Sequence, residues 1–145
     1  MLVSSRRKPA VPVTYRIDPL NGLIRTTCRG AVTLQEVVGH FGELRRSSAC
    51  PKRLDVLLNL SEQTSVPAAG NLRDVTKAIG SVRSKVEFGI CAIVAGTDVL
   101  FGMLRMFEVF AERHFRETHV FRGVEEAELW LATRRKEEAS HGAAR

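Results

Sequence analysis

Phe88-Gly89-Ile90-Cys91-Ala92-Ile93-Val94-Ala95 decides the fold of this 145-residue chain. The run is apolar on both alternating faces and too short for a buried helix. That is the pattern of a central parallel strand covered on both sides. Leu54-Asp55-Val56-Leu57-Leu58-Asn59-Leu60 is nearly as continuous and reads as a neighbouring central strand. Between them, Leu72, Val75, Ile79 and Val82 recur at helical spacing, so a crossover helix starting near Asn71 joins two parallel strands.

Working outward, Val13–Asp18 and Leu23–Arg29 alternate apolar and polar residues, and Pro19-Leu20-Asn21-Gly22 lies between them. Two half-buried strands joined by a turn make a hairpin. Thr33-Leu34-Gln35-Glu36 is a capping box. The helix behind it buries Leu34, Val37, Val38, Phe41 and Leu44 on one stripe, with His40 off the stripe and solvated. Gly96-Thr97-Asp98 introduces a third helix from Asp98 to about Phe115, with Thr97 or Asp98 as N-cap. Thr118–Arg122 is the last strand. Val124–Lys136 is the last helix, with Val124, Ala127, Trp130 and Leu131 inward. The expected fold is α/β: a five-stranded, mostly parallel sheet with an N-terminal hairpin and four helices.

One domain over residues 13–136 accounts for the chain. Residues 1–12 are expected to be a basic disordered tail, and 137–145 a frayed end. The composition, 44% hydrophobic and 26% charged, is that of an ordinary globular protein. Net charge is 22 − 16 = +6, concentrated toward the ends at Arg6, Arg7, Lys8 and at Arg134, Arg135, Lys136. Elsewhere basic residues alternate with Asp and Glu, so no nucleic-acid interface is expected. Pro9 and Pro12 stand where a signal peptide carries its apolar stretch, and no run approaches roughly 20 apolar residues. Cys28, Cys50 and Cys91 are odd in number, without Cys-x-x-Cys spacing. A cytoplasmic protein with reduced thiols and no membrane span is expected.

No Gly-x-Ser-x-Gly, Walker loop, Gly-x-Gly-x-x-Gly or His-Glu-x-x-His motif occurs. No catalytic set is expected, and no cofactor. His114 and His119, with Glu112, straddle a turn, and no further ligand completes a metal site. His114 reads instead as a partner of a helix C-terminus. Residues 61–70 read as a loop leaving the carboxyl end of a central strand, where ligands of open α/β sheets gather. Ser61, Thr64, Ser65, Asn71, Arg73, Thr97 and Asp98 are the candidate anion or phosphorylation rim. In the third helix Val99, Met103, Met106, Phe107 and Phe110 form one apolar face, widened by Leu100, Leu104 and Phe115. That width exceeds what one side of a sheet requires. Phe101, Leu104, Arg105 and Glu108 are therefore the candidate interface, in a homodimer, with another protein partner or beside a small apolar ligand.

The hairpin start, Gly30-Ala31-Val32-Thr33 and Leu54-x5-Leu60-Ser61 resemble the STAS-like, or SpoIIAA-like, proteins. So do Phe101-Gly102-Met103 with Arg105-Met106-Phe107-Glu108, and Val120-Phe121-Arg122 with Glu126-Ala127-x2-Trp130-Leu131. The resemblance covers about residues 13–132 and is nearest to small bacterial STAS-like proteins of unassigned function. It implies a β-α superhelix with helices largely on one side of the sheet, similar in architecture to CRAL-TRIO lipid-transfer domains. For the anti-sigma-factor antagonists it implies a phosphorylatable Ser in an Asp-Ser-Ser-Gly-like context. Here Asn59 replaces the Asp, no Ser-Ser-Gly follows, and Ser61, Thr64 and Ser65 are the positions that could inherit that role. A non-enzymatic regulatory or protein-binding domain is the first functional expectation. A carrier of a small apolar ligand or lipid is the alternative.

Overall fold

The N-terminal hairpin pairs β1 (Val13–Asp18) antiparallel with β2 (Leu23–Gly30), from Val13 opposite Cys28 to Asp18 opposite Leu23. Its turn is held by Asp18, which accepts from the backbone and side-chain amides of Asn21. Gly22 closes the turn at φ 61°, a left-handed conformation that a Cβ would strain. The computed structural model describes residues 12–48 and 50–143. Apart from Pro12, whose carbonyl accepts from the Arg29 amide, the expected N-terminal tail lies outside the described residues.

The remaining elements alternate: α1 (Leu34–Arg46), β3 (Arg53–Gln63), α2 (Ala69–Val82), β4 (Glu87–Ala95), α3 (Asp98–Phe110), β5 (Glu117–Phe121) and α4 (Val124–Ala143). The sheet order is β1-β2-β3-β4-β5. β2, β3, β4 and β5 run parallel to one another. The result is a mixed five-stranded α/β sheet, antiparallel only at its hairpin edge.

β4 explains its own composition. Cys91, Ile93 and Ala95 face the core beneath α1, α2 and α3, while Ile90, Ala92 and Val94 face α4. Both faces are covered, so both alternating sets must be apolar. Three helices thus pack on one face, and α4 covers the other through Ala127 and Leu131. Fully burying a leucine such as Leu131 contributes about 2 kcal/mol.

Several elements differ from the sequence reading. β3 continues through Ser61, Glu62 and Gln63, because Glu62 and Gln63 pair with Arg29 and Gly30 of β2. The polar letters that suggested a loop belong to a strand end whose outer residue, Glu62, ion-pairs with Arg29. α2 begins at Ala69 behind Ala68, which offers no side-chain cap; Asn71 sits inside the first turn and is not the N-cap. α1 buries His40, Phe41 and Leu44 and exposes Val38. Val37, His40, Phe41 and Leu44 fall at i, i+3, i+4 and i+7, so the buried stripe includes the histidine. α4 continues past Lys136 and Glu137 to Ala143, and Glu138 pairs with Arg116. Among the described residues no helix is long and apolar enough to cross a membrane.

Candidate functional site

The carboxyl halves of β2 and β3 separate from α1 and α2 around a cavity of about 210 Å³. Cys28, Val32, Val37, Leu58, Leu60 and Val75 supply much of its lining, with Leu104 and Phe107 of α3 at its back. Burial pushes the Cys28 thiol up to about 11, so it is neutral and behaves as part of the apolar wall.

His40 is the unexpected member. It lines the cavity and is only 6% exposed. Its Nε2 lies 3.2 Å from Thr26 Oγ1, and its Nδ1 has no hydrogen-bond partner among the described residues. Tyr15 and Phe41 flank the ring at centroid distances of 4.9 and 5.2 Å. Desolvation pushes His40 down to about 4, so the imidazole is neutral at ordinary pH. The sequence reading placed it in solvent. The signal that could have found it is positional, since His40 completes the i, i+3, i+4, i+7 stripe.

The cavity mouth is built from two loops tied together by Ser65. Its Oγ accepts from the Val32 amide at 2.9 Å and donates to the Val32 carbonyl at 3.1 Å. Gln63 Nε2 donates to the Ser65 carbonyl at 2.9 Å, and the Thr64 amide reaches the Gly30 carbonyl. Asn71, from the first turn of α2, also lines this opening.

The expected polar rim is therefore divided. Ser65 and Asn71 belong to the cavity mouth. Ser61 sits at the end of β3, its Oγ donating to Asn59 Oδ1 at 2.7 Å. Gly96 passes against the Ser61 backbone so closely that a Cβ there would collide with it, which brings Ser61 beside Thr97. Thr97 Oγ1 accepts from the Leu100 amide and caps α3; Asp98 holds Arg122. Arg73 is elsewhere. Its guanidinium lies 5.5 Å from the Phe110 ring centroid, at the opposite end of α3 from Thr97, roughly 20 Å along the helix.

The expected interface on α3 is also redrawn. Leu100, Leu104 and Phe107 are buried in this chain's own core, so Leu104 is no surface residue. Phe101 is half-buried beneath the Arg122 guanidinium, 5.1 Å from the ring centroid. Arg105 and Glu108 pair with each other at 3.4 Å along the helix. The apolar residues left outside are Val99, Met106 and Val109, 66%, 42% and 66% exposed. The core stripe 100-104-107 leaves them on the outer side by helical geometry.

His114 and His119 do not meet. His114 packs against Gly80, and His119 lies 5.3 Å from the Trp130 ring centroid. Trp130 is partly buried at the β5 edge, also against Phe121 and Arg134, and packs on the flank of the Ala127–Leu131 core cluster without being fully enclosed by it. Among the described residues no three His, Cys, Asp or Glu side chains come together as metal ligands.

No protein-family model matches the chain, and no curated protein matches it.

Proposed function

We propose that this chain is a STAS-like binding domain that holds a compact, mainly apolar ligand in the cavity between α1, α2 and the sheet. The cavity itself carries the reading. Apolar side chains facing space forfeit contacts that a ligand would restore. The volume of about 210 Å³ is below the roughly 300–1,000 Å³ of drug-sized pockets, which favours a small molecule. Most of the polar groups at the cavity hold its walls: His40 Nε2 with Thr26, Ser65 with Val32, Gln63 with the Ser65 carbonyl, while His40 Nδ1 is buried without a partner among the described residues. This division of labour supports binding and carriage over catalysis. The resemblance to STAS-like proteins and to the CRAL-TRIO architecture supports the same reading.

The test is uptake of N-phenyl-1-naphthylamine, a neutral apolar fluorophore. Wild type should give saturable one-to-one enhancement. Val37→Trp, which fills the cavity from α1, should abolish it while circular dichroism stays native. Val75→Phe repeats the test from α2. Undiminished uptake in both folded variants would refute the cavity as the site.

A second reading rests on Val99, Met106 and Val109. Exposed apolar residues on the outer side of one helix support a regulatory protein-binding role, through a partner or a second copy of this chain.

A further inference from the structure

A separate groove lies between α2 and the carboxyl end of α3. It measures about 470 Å³ and is lined by Arg73, Lys77, Arg113 and His114, with Val109 and Phe110 as an apolar wall. It continues into a second depression that shares Arg113 and His114 and adds Arg83. The sequence shows no basic stripe here, because these residues come from positions up to forty apart and each has acidic neighbours nearby in the chain. Folding gathers them.

We propose that this groove binds a small oligophosphate-bearing molecule, with Arg73, Lys77, Arg83 and Arg113 as its cationic ligands.

Charge carries the argument. Most other surface arginines are neutralised: Arg25 holds Glu128, Arg29 holds Glu62, Arg53 holds Glu87 and Arg134 holds Glu117. Arg73, Lys77, Arg83 and Arg113 form no carboxylate pair among the described residues. Arg83 and Arg113 both bear on His114, and a bound anion would offset the positive field they place there. Arginine suits phosphate because its planar fork donates two parallel hydrogen bonds.

His114 registers the field. Its ring packs on Gly80, where a Cβ would come within 3.2 Å of Cε1, and its Nδ1 lies 3.5 Å from Arg83 Nη1. Burial, then Arg83 and Arg113, hold its imidazole below the usual histidine range. Arg116, in the same depression, is paired with Glu138, and Glu87 with Arg53.

Size and shape select a small ligand. The volume lies within the range of small-molecule sites. Phe110 already bears Arg73 across its ring, and with Val109 it offers a wall for an uncharged portion. An extended nucleic acid needs a longer unneutralised stripe than this groove provides.

The experiment is an NMR titration of His114 with tripolyphosphate at constant ionic strength. Saturable shifts and an upward move of the His114 pKa are expected. Arg83→Gln with Arg113→Gln should weaken binding roughly tenfold or more. Arg16→Gln with Arg45→Gln, which changes net charge equally, should leave it unchanged. An unperturbed His114, or equal weakening by both pairs, would overturn the assignment. Tighter binding of a short oligothymidylate than of tripolyphosphate would overturn the small-molecule class.

Discussion

His40 Nε2 sits 3.2 Å from Thr26 Oγ1 in the seam between α1 and β2, and it is the only ring nitrogen of that histidine with a partner among the described residues. The pair links the apolar cavity to the stability of the fold.

The folded state holds His40 near 4, whereas an unfolded chain titrates near 6.5. Between those values the unfolded state binds more protons, so stability falls with acid. The contribution is full above about pH 6.5, is lost progressively as pH drops toward 4, and amounts to about 3 kcal/mol. In urea melts across this window wild type should gain about 3 kcal/mol relative to His40→Phe as pH rises. Parallel pH profiles would show that His40 titrates normally.

Asp55 and Arg135 form a mostly buried pair beneath the sheet. Asp55 Oδ1 also accepts from the Ile90 amide at 2.9 Å, and Arg135 reaches the Asn21 carbonyl. Removing one partner strands the other, so Arg135→Met should cost about 2–4 kcal/mol. Asp55→Asn should cost a similar amount, and the double variant less than the sum. Additive losses in denaturant melts would count against a coupled pair.

Trp130→Ala should cost only about 1–2 kcal/mol, because the ring is half-buried against His119 and Phe121. Leu131→Ala, at a fully buried position, should cost more, about 2–4 kcal/mol. The reverse ranking would place the tryptophan in the core.

Trp130 and Leu131 are adjacent in the chain yet differ in burial, and the same limit applies to the rest of the fold. The strands were legible because β4 is apolar on both faces and β1 and β2 alternate. α1 was legible from its capping box, formed here by Thr33 and Glu36. Its rotation was not, because a polar histidine occupies a core position of the stripe and only the cavity and Thr26 explain why. The end of β3 was hidden by its polar residues, whose strand conformation comes from pairing with β2 far away in the chain. Of the expected rim, Ser65 and Asn71 reach the cavity, Ser61 and Thr97 share another edge, and Arg73 belongs to the groove at the far end of α3. Such groupings depend on crossover packing, which local periodicity does not encode.

The α3 surface gives a separate prediction. Val109→Glu should leave stability within about 0.5 kcal/mol, since the side chain is exposed. If α3 pairs two copies, this variant sediments as a monomer while wild type sediments as a dimer. Phe101→Glu should destabilise the fold, because its ring is half-buried under Arg122. A wild type that stays monomeric at high micromolar concentration would exclude pairing through this face.

Native mass spectrometry of protein purified without refolding is the direct test of a ligand in the cavity. A discrete mass excess is expected on wild type, released under denaturing spray as a small apolar compound and absent from folded Val37→Trp. The same mass excess retained in that variant would contradict it.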